Sequence, residues 1–258
     1  MKEAPKIISR TKRVGTIEEQ KTFKFTSEMI PTSLSLGIRN YRQNAWKDYE
    51  RMLMPTMKEE AWRRTDIRGL KVDLFDLPGE SAYLDLEPVP QNLLRPIAGD
   101  EHSGQIILMP GGSQVELDPQ LAAKGVIFTD WLTAEKQYPE LVERCLGKII
   151  KPEEGKFAAL TAAITNTGAF LYIPKGVQIE QPLHSILWGA GTGMAVFSHL
   201  IIWLDEGAAA TYVHEAASLS GLGSQNLHGG IVEIHVGAGA NLRFVELQSW
   251  GDDVWNLS

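Results

Sequence analysis

Four histidines recur at nearly even spacing in the last third of the chain. The segment "HSILW", which begins at His184, returns as "HLIIW" at His199, and His214 and His228 follow after fifteen and fourteen more residues. Imidazole nitrogens bind metal ions and carry protons, so this spacing could mark a metal site. It could also be the repeat of a fold, with the histidines at equivalent positions of successive strands.

A metal site needs three or four ligands, with carboxylates or thiolates beside the imidazoles. The carboxylates near the histidines are Glu180, Asp205, Glu206 and Glu215, and they follow no ligand spacing. We therefore assign no metal ligand, no catalytic residue and no cofactor-binding residue from the sequence. The histidine spacing is interpreted as a property of the fold.

Three segments of the last hundred residues align on a glycine between two alternating apolar runs. The glycines are Gly176, Gly207 and Gly239, at spacings of 31 and 32 residues. Apolar alternation indicates strands, and a fixed period of this size is typical of stacked repeats that share one core. The predicted fold class is therefore mainly β: a right-handed parallel β-helix (a β-solenoid), preceded by a small α-helical N-terminal domain.

The fifteen-residue spacing between the segments that begin at His184 and His199 is then half of one repeat. It predicts that His184 and His199 lie on opposite walls of the β-helix, whereas His184 and His214 lie on the same wall, close enough to touch. Because side chains alternate along a strand, His184 and Trp188 are expected on one strand face.

The sequence divides into two predicted parts. Residues 1–75 are expected to form a polar tail and a small helical domain, and residues 76–258 a β-helix core with a helical insertion near 130–150. In this insertion, Asp130 is the expected N-cap of one helix, and Pro139 the first residue of a second.

Charge and cysteine content exclude several classes of protein. The net charge is −7 and no basic run supplies a nucleic-acid surface. The single cysteine, Cys145, rules out an intrachain disulfide and a zinc site built on paired cysteines, and we interpret it as a buried structural residue. No apolar run is long enough to span a bilayer. We expect a cytoplasmic protein that binds neither nucleic acid nor membrane.

Two glycine-rich stretches, "MPGGSQ" and "GAGTGMA", lack the strand-before, helix-after context of a nucleotide site. The acidic pairs Asp205/Glu206 and Asp252/Asp253 lie at turns, where carboxylates are commonly solvated. Paired carboxylates nevertheless leave a polysaccharide-acting β-helix enzyme as one alternative. A structural β-solenoid that polymerises is another.

Two stretches carry a resemblance to a known family, and a third supports it. "NAWKDYERMLMPTMKEEAWRRTDIRGL" (residues 44–70) and "KFAALTAAITNTGAFLYIPKGVQIEQPLHSILW" (residues 156–188) resemble the SufB/SufD iron–sulfur assembly family. "VEIHVGAGANLRFVELQSW" (residues 232–250) is similar to its later repeats. In the first stretch, the positions that match the family pattern are Pro55, Glu60, Trp62, Arg63, Thr65 and Asp66.

The resemblance implies a role and partners. SufB-like members carry a cysteine implicated in sulfur handling where this chain has Ala216 and Ala217 in "YVHEAASL". The resemblance therefore implies a SufD-like, non-enzymatic scaffold subunit that pairs with a SufB-like paralogue and a SufC-like ABC-type ATPase. An iron–sulfur cluster is implied only for the assembled complex, and no cofactor is expected on this chain.

Family members continue for well over a hundred residues beyond the point that matches "DDVWNLS", so we expect this chain to be a fragment with an incomplete C-terminal end. Open strand edges at such an end favour association between copies. We expect the chain to form a homodimer through residues 242–257.

Overall fold

The computed structural model describes residues 22–95, 101–189 and 191–258, so most of the predicted polar tail and Ala190 of "GAGTG" lie outside the described residues. Within these described ranges, ten strands form two five-stranded sheets. The first sheet has the order β2-β1-β5-β7-β9, with bounds Gly112–Leu117, Gly104–Met109, Leu183–Trp188, Ala209–Ala217 and Asn241–Ser249. The second has the order β10-β8-β6-β4-β3, with bounds Val254–Leu257, Asn226–Val236, Ala195–Leu204, Thr167–Ile173 and Ile127–Asp130.

From β4 onward, successive strands alternate between the two sheets, so each strand pairs with the strand two positions later. These pairs are parallel: Tyr172 lies opposite Trp203, and Trp203 opposite His235. Inward-facing side chains of both sheets, among them Leu187 and Ile202, meet in one hydrophobic core. Burial of this shared core is the main force that holds the sheets together.

The three aligned glycines lie at stacked turns. The Gly176 N–H donates to the Glu206 carbonyl and the Gly207 N–H to the Ala238 carbonyl, both at 2.9 Å. Gly176, Gly207 and Gly239 have φ angles of 72°, 65° and 65°, a region that glycine adopts without steric cost. The glycine spacing in the sequence thus predicted which turns are neighbours.

Five α-helices are present in the described residues, and none of them is long and apolar enough to cross a lipid bilayer. They are α1 (Leu36–Arg51), α2 (Pro119–Ala123), α3 (Trp131–Gln137), α4 (Pro139–Cys145) and α5 (Lys156–Ile164). The Asp130 side chain accepts from the Thr133 N–H at 3.1 Å, and Pro139 is the first residue of α4. Both predicted helix starts are therefore confirmed.

Helices α1, α3, α4 and α5 cover the outer face of the second sheet. Trp46 of α1 and Leu160 of α5 share a core with Phe197 and Ile231 of the sheet. A buried ion pair between Arg42 of α1 and Glu135 of α3 joins two of the helices. The Lys156 ammonium caps α1 by donating to the carbonyls of Tyr49 and Met52, at 2.9 and 2.7 Å.

The predicted fold class, a mainly β chain wound as a right-handed parallel β-helix, is contradicted and must be corrected. Both sheets are mixed, because β1 pairs antiparallel with β2, and β3 with β4. Four of the five helices contribute to the cores that cover the second sheet. The architecture is α/β, with two mostly parallel sheets across one core. Apolar alternation identifies strands, but it does not specify pairing direction or a helical layer.

Candidate functional site

The shared core contains a polar cluster, which begins on the first sheet. Ser185 of β5 and His214 of β7 are register partners that both face inward. The Ser185 hydroxyl lies 2.7 Å from His214 Nδ1 and 2.7 Å from the Tyr212 hydroxyl. All three side chains are buried, so each depends on the others for a hydrogen bond that solvent cannot supply.

The second sheet contributes a matching set. His228 Nδ1 lies 2.7 Å from Asn256 Oδ1, and His228 Nε2 lies 2.8 Å from the Ser198 hydroxyl. The Asn256 oxygen can only accept, so Nδ1 of His228 carries the hydrogen and the Ser198 hydroxyl donates to Nε2. Asn256 in turn donates to Gln248 Oε1 at 2.7 Å, which links the second sheet to the first.

A cavity of about 20 Å³ lies within this cluster. Its polar lining includes Ser198, His214, His228, Glu246 and Gln248. This volume is close to that of one water molecule. The interior of the sheet pair is thus polar at this end of the molecule and apolar farther along.

Burial keeps the two inward histidines neutral. Desolvation, with a smaller contribution from His228, lowers the pKa of His214 to about 3. Desolvation also lowers the pKa of His228 to about 4, although the hydrogen bond to Asn256 acts in the opposite direction. Both rings are therefore neutral at pH 7 and act as hydrogen-bonding groups rather than as cations.

The Ser185 hydroxyl is hydrogen-bonded to the His214 imidazole, as a nucleophile is to its general base. The surroundings of this pair, however, do not suit acyl transfer. The His214 ring and the Ser185 hydroxyl are enclosed between the sheets, where a substrate carbonyl has no access. The Ser185 hydroxyl also bonds to the Tyr212 hydroxyl at 2.7 Å, which ties it to a second buried side chain. We interpret the cluster as one that holds the two sheets in register.

His184 lies on the outer face of the first sheet, on the same strand face as Trp188, as the sequence predicts. Gln105 Nε2 donates to His184 Nδ1 at 3.0 Å, so Nε2 of the neutral ring donates to Glu215 Oε1 at 3.1 Å. Burial, followed by the proximity of His102, lowers the pKa of His184 to about 4.

His199 lies on the outer face of the second sheet, beneath the helices. Its Nε2 is 2.8 Å from Glu233 Oε1, and its ring stacks on Trp131 with centroids 5.1 Å apart. Glu233 also accepts from the N–H groups of Gly147 and Ile149 at 2.8 and 2.7 Å. Burial alone would raise the pKa of Glu233, but the hydrogen bonds from His199 and the backbone lower it.

The structure brings the four histidines together differently from the prediction. His184 and His199 do lie in opposite sheets. His184 and His214 share a sheet but face opposite sides, because the register pairs Ser185 with His214. An offset of one residue reverses the strand face, so the predicted contact between these two histidines is wrong.

Among the described residues, no three His, Cys, Asp or Glu side chains are grouped to hold a metal ion. The acidic residues weighed in the sequence as metal ligands or carboxylate pairs form hydrogen bonds and ion pairs with neighbouring groups instead. Asp205 accepts from the Tyr172 hydroxyl at 2.5 Å, Glu206 pairs with Lys175 at 2.8 Å, and Asp253 accepts from the Leu222 N–H at 2.8 Å. The remaining candidates, Glu180 and Asp252, are exposed.

Sequence reasoning missed several partners of the histidines, among them Gln105, Ser185, Ser198, Glu233 and Asn256. Polar residues at inward positions of otherwise apolar strands were the available signal for the two serines. Glu233 offered no comparable signal, because its backbone partners lie more than eighty residues earlier in the chain.

Comparison with known proteins agrees with the motif resemblance. Residues 104–184 match the SufBD protein N-terminal region, and residues 187–258 match the SufBD core domain of SUF-system FeS cluster assembly. Iron-sulfur cluster assembly SufBD family proteins of Staphylococcus saprophyticus, Staphylococcus haemolyticus and Staphylococcus aureus are each 27% identical over 227 residues. The alignments cover 84% of this chain and 48% of each relative, so the chain spans about half the length of these relatives. The chain belongs to the SufB/SufD family of iron–sulfur cluster assembly proteins.

Proposed function

We propose that this chain is a SufD-like, non-catalytic scaffold subunit of a SUF-type iron–sulfur cluster assembly complex. In this proposal it works in the cytoplasm with a SufB-like paralogue and a SufC-like ATPase. Family membership supports the part in cluster assembly. The proposal of a SufD-like, non-catalytic role is supported by the burial of Cys145, the only cysteine in the sequence.

Cys145 is the only cysteine in the sequence. It is fully buried at the end of α4, packed with Trp131 and Val142, and burial raises its pKa to about 11. The thiolate is the form that attacks sulfur donors and binds iron, so Cys145 is unsuited to either task. Ala216 and Ala217, at the positions where the resemblance leads one to expect a SufB-like cysteine, are buried in β7. We infer that the partner subunit supplies the reactive thiol, with the cluster as cargo of the complex.

Co-expression with a SufB-like and a SufC-like protein tests this proposal. The wild-type chain and Cys145→Ala should co-purify with both partners and support equal cluster yields, measured by iron and acid-labile sulfide. A serine or alanine in place of the reactive cysteine of the SufB-like partner should abolish the yield. Loss of cluster formation by Cys145→Ala within an intact complex would contradict the scaffold role, and failure to co-purify would contradict the partnership.

Thiol reactivity provides an independent test on the isolated chain. In native buffer at pH 8, Cys145 should react with a thiol reagent at least about 100-fold more slowly than in denaturant, because the thiol is buried and largely protonated. Rapid labelling under native conditions would indicate a reactive site and count against the proposal.

A further inference from the structure

The outer edge of β2 has no described strand beside it. β2 lies between β1 and α2 in the chain, and it pairs antiparallel with β1 on one side only. Edge strands are usually protected by a proline, a lysine or a bulge. β2 contains neither residue, and its register with β1 is unbroken from Gly112 to Leu117. Residues 113–116 are exposed, so this edge is open to a further strand.

The backbone groups that lie at the open edge follow from the pairing with β1. In an antiparallel pair, every second residue exchanges N–H and C=O groups with the neighbouring strand. The N–H of Asp118, directly after β2, donates to the Ser103 carbonyl at 2.8 Å. The even-numbered residues of β2 therefore face β1, and the N–H and C=O groups of Ser113, Val115 and Leu117 point away from it.

The two faces of β2 differ in chemistry. Val115 is the register partner of Ile106, which belongs to the shared core, so the Val115 side chain is on the inner face. It is nevertheless 42% exposed at the uncovered edge. Glu116 is the register partner of Gln105, which contacts His184 on the outer face. A strand added to β2 would place alternate side chains beside Val115 on one face and beside Glu116 on the other.

The surroundings of this edge are acidic. A pocket of about 220 Å³ at the turn end of β2 is lined by Ser113, and its charged lining residues are Glu80 and Asp130. Asp130 accepts from the uncharged Thr133 N–H, which leaves its negative charge in place. Glu116 adds a carboxylate on β2 itself. A second copy of this edge would double the negative charge, whereas a basic strand would complement it.

We propose that the outer edge of β2 binds an extended peptide segment of a partner protein, with apolar side chains beside Val115 and basic side chains beside Glu116. Backbone hydrogen bonds to Ser113, Val115 and Leu117 supply part of the affinity, and the alternation of apolar and basic side chains supplies the sequence preference. The proposal does not depend on the SufD-like assignment, since it rests on the strand edge and its charges alone.

Fluorescence anisotropy with the full 258-residue chain and labelled seven-residue peptides tests the proposal. An alternating Val/Lys peptide should bind at least about tenfold more tightly at low salt than an alternating Val/Glu peptide. Two further Val/Lys peptides carry N-methyl groups on all Val amides or on all Lys amides. The one whose methylated amides face β2 should bind at least about tenfold more weakly, because it lacks the backbone donors. Equal binding of all three Val/Lys peptides would overturn strand addition.

A charge reversal with a matched control tests the position of the basic side chains. Glu116→Lys should invert the preference between the Val/Lys and Val/Glu peptides, because it replaces the carboxylate on the outer face of β2 by an ammonium group. Glu140→Lys, at an exposed position of α4, makes the same change in net charge and should leave the preference as it is in the wild-type chain. An equal effect of the two variants would overturn the assignment of the basic side chains to Glu116.

Hydrogen exchange identifies the backbone groups that the peptide covers. Bound Val/Lys peptide should slow exchange of the Ser113, Val115 and Leu117 amides and leave the even-numbered amides of β2 unchanged. Protection of the three odd-numbered amides without peptide would overturn the proposal. Sedimentation analysis would then show whether a second copy, in a dimer, or another segment of the same chain, in a monomer, covers the edge.

Discussion

Lowering the pH from 7.5 to 5 should destabilise this protein by several kcal/mol. The cause is the buried histidine cluster, in which the pKa values of His214 and His228 are lowered to about 3 and about 4. In the unfolded chain both have a pKa of about 6.5. The unfolded state therefore binds protons first as the pH falls.

The sign and the pH window follow from these values. Above pH 6.5 the histidines are neutral in both states, and the native state has its full stability. Below pH 6.5 the unfolded state gains protons that the native state cannot accept, so stability falls until the pH reaches the native pKa values. Each histidine costs about 1.4 kcal/mol per pH unit across this window, or about 2 kcal/mol at pH 5. The Glu233 pKa is lowered, so its contribution is lost only at more acidic pH.

Urea unfolding at pH 7.5, 6.5, 5.5 and 5.0 measures this effect. His214→Asn, which can retain a hydrogen bond to Ser185, should reduce the loss of unfolding free energy between pH 7.5 and pH 5 by about 2 kcal/mol. His235→Asn is the control, because His235 is half-exposed and stacks on Trp203 at the surface. If His214→Asn and wild type show the same pH dependence, the assignment of the buried neutral histidine is wrong.

Replacement of Glu233 by glutamine should cost about 3–5 kcal/mol of unfolding free energy. Glu233 is 1% exposed, and its carboxylate accepts from His199 and from the N–H groups of Gly147, Ile149 and Ile150. Glutamine has one carbonyl oxygen, and its amide group would direct N–H donors toward other donors. The segment after α4 would then lose its attachment to β8.

Two measurements check this prediction. Chemical denaturation gives the change in free energy, with Glu246→Gln as a control at an exposed position that should change it by less than about 0.5 kcal/mol. Hydrogen exchange should show faster exchange at Gly147, Ile149 and Ile150 in Glu233→Gln. A change below about 1 kcal/mol would mean that these donors find other acceptors.

Some features of the fold could be predicted from local sequence because they depend on local chemistry. Asp130 and Pro139 mark helix starts through hydrogen bonding and backbone restriction within one turn. Apolar alternation located the strands of both sheets. The fold class was not predicted correctly, because strand direction at the sheet edges and the packing of helices on the second sheet depend on contacts between distant segments.

The stacking of the turns could be inferred without coordinates, because Gly176, Gly207 and Gly239 provide the required backbone conformation at a nearly constant spacing. The SufB/SufD family could likewise be inferred from sequence motifs without a structure. The strand face on which each histidine lies depends instead on how the strands pair in three dimensions. Successive strand pairs differ in register, and a shift of one residue exchanges the inner face for the outer. His214 therefore lies in the core, whereas His184, in the same sheet, lies outside it.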